Sequence, residues 1–144
     1  MKVLLDTHSF PWYVLDDPQL SNTARMAIEG QLAHALVNPI HAVPGSELPE
    51  VLVSPVSYWE IAIKISLKKY ALTVPFEAFW RHGIEDNDFR ILPIEIAHAG
   101  VLLGMPFHHK DPFDRLLMAQ AIVENVPLVS NDPALDANSV KQIW

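Results

Sequence analysis

His108-His109-Lys110-Asp111-Pro112-Phe113-Asp114-Arg115-Leu116-Leu117-Met118-Ala119-Gln120-Ala121, with Leu128-Val129-Ser130 beyond it, decides the fold. Asp111 followed by Pro112 marks a helix start: an Asp N-cap, then Pro at the first helical position, where its missing N–H costs nothing. Counted from there, Asp114 takes the third helical position, and Leu117, Met118 and Ala121 follow it at i+3, i+4 and i+7. The carboxylate therefore heads an apolar stripe that turns to the core. A capping box, with Asp114 reaching back to the N–H of Asp111, also accounts for this position. The helix runs to about Asn125 and hands over to the short apolar run Leu128-Val129-Ser130, a buried strand ended by Asn131-Asp132-Pro133.

Working outward, the same helix and strand grammar recurs. Val3-Leu4-Leu5 is a continuous apolar run ended by Asp6, as in a strand buried on both faces. Ser9 to Leu15 reads as a short helix, and Ser21 N-caps another that reaches about Gly30. Val51-Leu52-Val53 is a second buried strand, and Ser54-Pro55 repeats the N-cap signature for a helix through about Lys68. A helix from Phe76 to about His82, a strand at Phe89-Arg90-Ile91-Leu92, a helix from Ile94 to Leu103 and a short edge strand within Val140 to Trp144 complete the series. Between Gln31 and Glu50 the periodicity is lost among Asn38-Pro39, Pro44-Gly45 and Pro49. That stretch reads as a long surface excursion, with a helical turn at Leu32 to Val37. Strands alternating with helices, without hairpin signals, predict an α/β fold in which a central parallel sheet carries helices on both faces. Nothing in the composition divides residues 1–144, so a single domain is expected.

Half the residues are apolar, which is the composition of a folded domain with a core covering roughly two-thirds of the unfolded surface. No run approaches the roughly 18–20 apolar residues of a membrane span, so no membrane partner is expected. Met1-Lys2-Val3-Leu4-Leu5-Asp6 meets an acid too early for a signal peptide, and there is no cysteine. Disulfides and thiolate metal sites are thereby excluded, and a cytoplasmic location is expected. The net charge of −7 argues against a nucleic-acid partner if taken alone, because phosphate affinity normally comes from Lys and Arg. If several acids are gathered at a divalent-metal site, however, the bound metals cancel part of that charge locally.

Ligands of such sheets bind beyond the carboxyl ends of the strands. Asp6 ends the first strand, and Asp132 lies just past the Leu128-Val129 run. Glu60 is in the second turn of the helix after Val51-Leu52-Val53, and Asp114 in the first turn of the helix before the last main strand. All four converge on one rim. Each alone has an ordinary explanation: Asp6 as a helix cap, Glu60 as an i,i+4 partner of Lys64, Asp132 as turn chemistry, Asp114 as a capping box. Together they form the oxygen-donor set that Mg²⁺ or Mn²⁺ prefers, one suited to activating water against a phosphodiester. There is no G-x-x-x-x-G-K-[ST], no G-x-G-x-x-G and no Ser-centred nucleophile elbow. Asp6-Thr7-His8 also lacks the second Asp that phosphatases of the haloacid dehalogenase type carry two residues after their nucleophile.

Four blocks in this order, Leu4-Leu5-Asp6-Thr7-His8, Ser57-Tyr58-Trp59-Glu60-Ile61-Ala62-Ile63-Lys64, Asp111 to Ala121 and Ser130-Asn131-Asp132, resemble PIN-domain proteins, and more closely the VapC-type toxins of bacterial toxin–antitoxin pairs. The resemblance spans nearly the whole chain. It implies a three-layer α/β/α PIN-like fold, a Mg²⁺- or Mn²⁺-dependent endoribonuclease, a homodimer, and a small antitoxin that masks the site. The family's acidic quartet falls on Asp6, Glu60, Asp114 and Asp132. Asp6, Asp114 and Asp132 are then expected as metal ligands, with Glu60 as a further ligand or the group orienting the attacking water. Thr7, Ser130 and Asn131 match the family's polar positions and are candidate contacts to the RNA substrate, as are Lys110 and Arg115 for its phosphates. Trp12-Tyr13 and Phe79-Trp80 offer aromatic anchors for the antitoxin, or are core. The alternatives are a metal-dependent phosphatase on a similar sheet and a degenerate PIN module that binds RNA or protein without cutting.

Overall fold

Each buried strand begins as a run of branched apolar residues and ends where a helix signature starts. The computed structural model describes residues 1–31, 48–106 and 111–144, and for Asp136 and Ala137 the backbone alone. The elements in chain order are β1 (Lys2–Leu5), α1 (Ser9–Val14), α2 (Asn22–Ile28), β2 (Glu50–Val53), α3 (Pro55–Ser66), α4 (Phe76–Glu85), β3 (Arg90–Ile91), α5 (Ile96–Leu102), α6 (Pro112–Glu124), β4 (Leu128–Val129), a 3₁₀ turn (Pro133–Asn138) and β5 (Gln142–Ile143). The strands form one sheet in the order β3-β2-β1-β4-β5, and every neighbouring pair is parallel. β1 is central, with Val3 opposite Val51 on one side and Leu4 opposite Leu128 on the other.

The period of two in the strands sorts the core into two layers. Val3, Leu5, Val51, Val53 and Val129 face one side and pack with Phe10, Leu20, Ala24, Ile28, Phe79, Trp80 and Phe89. Leu4, Leu52 and Leu128 face the other and pack with Met105, Leu117, Met118 and Ala121. Thus α1, α2 and α4 cover one face, and α5 and α6 the other. This is the three-layer α/β/α arrangement expected from the sequence. α3 contributes to both layers, through Ile61 on the first and Val56 on the second.

Most starts fall where the cap residues place them. Ser21 Oγ accepts from the Ala24 N–H, Ser54 Oγ from Val56 N–H, and Asp111 Oδ1 from Phe113 and Asp114 N–H. α6 ends on Asn125, at a positive φ of 51°, which Asn tolerates better than most residues. Some expectations need correction. Glu50 belongs to β2, opposite Lys2, and not to the excursion. Phe79 and Trp80 are core, 5% and 4% exposed, so they are no anchor for a partner. α4 continues past His82 to Glu85 because Gly83 sits against Phe10: a Cβ there would approach the ring to 2.7 Å. The remainder of the expected excursion, residues 32–47 with the turn at Leu32 to Val37, lies outside the described residues, as do His108, His109 and Lys110.

Candidate active site

The carboxyl ends of β1, β2 and β4 and the amino ends of α3 and α6 meet at one edge of the sheet, and the acidic side chains lie there. Asp6 follows β1 directly, and its Oδ1 accepts from the backbone N–H of His8 (3.2 Å) and Ser9 (2.7 Å), closing the turn into α1. Asp132 follows β4 across the same edge, and its Oδ1 accepts from Ala134 N–H at 2.9 Å, starting the 3₁₀ turn. The capping explanations for these two acids therefore hold as geometry.

Glu60 is only 3% exposed. Thr7 Oγ1 donates to its Oε1 at 3.2 Å, and Lys64 Nζ lies 3.2 Å from its Oε2. Burying a carboxylate is costly unless it is paired and hydrogen-bonded, and these two contacts meet that need. The i,i+4 pair with Lys64 is thus real, yet it sits on a buried acid and not on a solvated face. Lys64 Nζ also lies 3.3 Å from His8 Nε2. Burial, then the neighbouring Lys64 charge, lowers the His8 pKa from 6.5, against the opposing pull of Asp6 and Glu60. A neutral His8 can accept from the ammonium through Nε2.

Glu60, Asp111 and Asp114 form one group, each offering a carboxylate oxygen within 4.8 Å of the others. Asp6 and Asp132 lie outside it among the described residues. Asp111 is the member that sequence reasoning missed, because its N-cap role already accounted for it. The available signal was its i,i+3 spacing from Asp114, which places both acids on one face of the first turn. Three carboxylates this close repel, and Lys64 offsets one of them. The donor set is entirely hard oxygen and fits Mg²⁺ or Mn²⁺.

Buried polar groups fix the helices that carry these acids. Gln120, fully buried, accepts from Ser54 Oγ at 2.6 Å and donates to the carbonyls of Leu92 and Pro93, both at 3.4 Å. One amide thereby ties α6 to the start of α3 and to the end of β3. Arg115, 7% exposed, donates to the carbonyls of Pro106 (2.9 Å), Leu102 and Met105 (both 3.4 Å). This geometry gives Arg115 an anchoring role between α5 and α6. Ser130 is buried, with its Oγ accepting from Asp132 N–H, whereas Asn131 is exposed at the rim.

A parallel α/β/α domain with acids gathered past the carboxyl edge of its sheet is the class of protein that fold and site define. The chain belongs to the PIN domain family, whose model matches residues 3–141. It is similar in fold to a chain of VapBC2 from Rickettsia felis, in a structure bound to a DNA fragment from its promoter (TM-score 0.65, 12% identity, all of both chains covered). It is also similar to FitAcB from Neisseria gonorrhoeae (TM-score 0.59, 17% identity, 99% of this chain and 96% of that one). A third similar structure is VapBC-1 from nontypeable Haemophilus influenzae (TM-score 0.54, 16% identity, 99% and 96%). No curated protein matches the chain by sequence. Among the described residues no helix is long and apolar enough to cross a membrane.

Proposed function

We propose that the chain is a Mg²⁺- or Mn²⁺-dependent endoribonuclease and the toxin of a toxin–antitoxin pair. The observation that carries this reading is the Glu60–Asp111–Asp114 group at the carboxyl edge of a PIN-domain sheet. Likeness in fold to VapBC chains supports the toxin assignment. Asp114, Asp111 and Glu60 would hold the metal, together with Asp6 and Asp132 at the same edge. When bound, the metal would supply a nucleophilic water and offset charge developing on the phosphodiester. Thr7 holds Glu60 in one orientation, and Lys64 pairs with it in a buried setting. Asn131, exposed beside Asp132, is available to the RNA, with Ser130 shaping the turn beneath it. The cognate antitoxin would close the acidic rim with an inserted basic segment, since Arg makes bidentate bonds with carboxylates. A homodimer completes the reading.

Incubation of the purified protein with defined RNAs in Mg²⁺, Mn²⁺ or EDTA tests it. Cleavage should need metal and should vanish in Asp6→Asn and Asp114→Asn, while thermal melts show both variants folded. Mn²⁺ should raise the melting temperature of the wild type, because ligand binding to the native state stabilises it. Wild-type cleavage rates in well-folded variants would end the assignment. Co-expression with the product of an adjacent small gene should yield a complex with suppressed cleavage.

A further inference from the structure

The aromatic residues at the acidic edge are arranged in the same way as the acids. Trp59 immediately precedes Glu60 on α3, and Phe113 lies between Asp111 and Asp114 at the start of α6. Their rings meet edge to face, centroids 5.3 Å apart and planes at 77°. The acidic group and the aromatic pair therefore bridge the same two helices. The inward positions of α3 are Val56, Ser57, Glu60 and Ile61, all buried, and Trp59 falls outside that stripe at 57% exposure. Among the described residues it is the one exposed aromatic side chain. The edge-to-face contact with Phe113 steadies the indole on one side and leaves its exposed surface open.

Charge makes this surface useful. The chain carries −7 overall, and two of its cations are engaged within the fold: Lys64 on Glu60, Arg115 on three backbone carbonyls. With those two engaged, affinity beside the acids gains from a source other than charge. Stacking of a nucleobase on an aromatic ring is such a source, because every base has a π face. A base inside a duplex already has both faces covered by its neighbours and has none to offer.

We propose that Trp59, steadied by Phe113, is a shelf on which an unpaired nucleobase next to the scissile phosphate stacks. This rests on the nuclease reading above and assigns one residue of this chain to hold a base of the RNA. Trp59 is a specificity-determining residue whose contribution is apolar, and its effect does not depend on salt as phosphate contacts do.

The test is binding of a fluorescein-labelled single-stranded oligoribonucleotide, and of the same strand annealed to its complement, to the full chain in EDTA, so that nothing is cleaved. Trp59→Ala should weaken single-strand binding about tenfold or more, by the same factor at low and moderate salt, with little effect on the duplex. Trp59→Phe should retain most of the affinity, and Phe113→Leu should lose less than Trp59→Ala. Replacing single bases by abasic sites should reveal one position whose loss does not add to that of Trp59→Ala, which marks the base on the shelf. Unchanged affinity in a folded Trp59→Ala protein overturns the proposal, as does equal loss for strand and duplex, or a wild type that binds no single strand. A fall in oligomeric mass in Trp59→Ala also overturns it, since Trp59 then packs between copies of the chain. Trp59-dependent binding without cleavage in Mg²⁺ or Mn²⁺ would remove the nuclease reading and leave the shelf. Cleavage indifferent to Trp59 would do the reverse.

Discussion

The two faces of the sheet are held by different physics. On the α1–α2–α4 side the core is aromatic: Phe10 stacks on Trp80 with centroids 4.3 Å apart and planes at 6°, while Phe79 and Phe89 meet Phe10 edge-on. On the α5–α6 side the core is aliphatic and threaded with buried polar groups. Gln120 and Arg115 bind backbone carbonyls, and His98 accepts from Glu95 N–H through Nδ1 while its Nε2 lies 3.0 Å from Glu124. Apolar burial is strong but non-directional, so it stabilises a layer without setting the rotation of any one helix. Hydrogen bonds contribute less to stability but are directional. The helix presenting Asp111 and Asp114 lies on the hydrogen-bonded side, and there the difference serves the site.

Substitutions on the two faces should therefore separate stability from activity. Phe10→Ala should cost the most stability, about 3–5 kcal/mol in denaturant unfolding, through the cavity left among Trp80, Phe79 and Phe89. RNA cleavage per folded molecule should stay near that of the wild type. Gly83→Ala places a methyl 2.7 Å from the Phe10 ring and 3.1 Å from Val14. It should cost about 1–3 kcal/mol by overpacking, again with cleavage per folded molecule retained. Gln120→Leu strands the Ser54 hydroxyl and loosens two carbonyl contacts, a loss of about 1–3 kcal/mol. Here cleavage should fall more than tenfold per folded molecule, and Mn²⁺ should raise the melting temperature less than in the wild type. If Gln120→Leu lost only stability, the positioning role of the polar side would be disproved. Smallest is Ser21→Ala, distant from the site, with about 1 kcal/mol from the lost α2 cap and no change in cleavage.

Helix starts were legible because they are local. Ser54-Pro55 and Asp111-Pro112 each combine a side-chain cap with a residue that gives up no hydrogen bond, and α3 and α6 begin there. Helix ends and strand lengths were less legible because tertiary packing decides them. α3 stops at Ser66, short of Lys68, where the backbone takes a positive φ of 59°. α4 overruns Gly83 because the bare glycine lets Phe10 approach, which no local pattern reveals. β3 shrinks to Arg90–Ile91 because it lies at the sheet edge and pairs only with β2. At the site, the shared sheet edge was readable from where strands end. The burial of Glu60 and the company of Asp111 depend on how α3 and α6 lie against each other, and a spacing rule within one helix does not carry that information.

The position of β1 has a consequence for biosynthesis. Its residues are synthesised before those of the other strands, yet Leu4 and Leu5 pair with Leu128 and Val129, far along the sequence. Until those residues emerge, the central strand lacks one neighbour, and Asp6 waits with it while Asp132 has not been made. Contacts so distant in sequence form late, after the entropy of closing a long loop has been met. A nascent copy thus carries the parts of its acidic edge without the edge itself, and folding can complete that edge only once Leu128, Val129 and Asp132 have been translated.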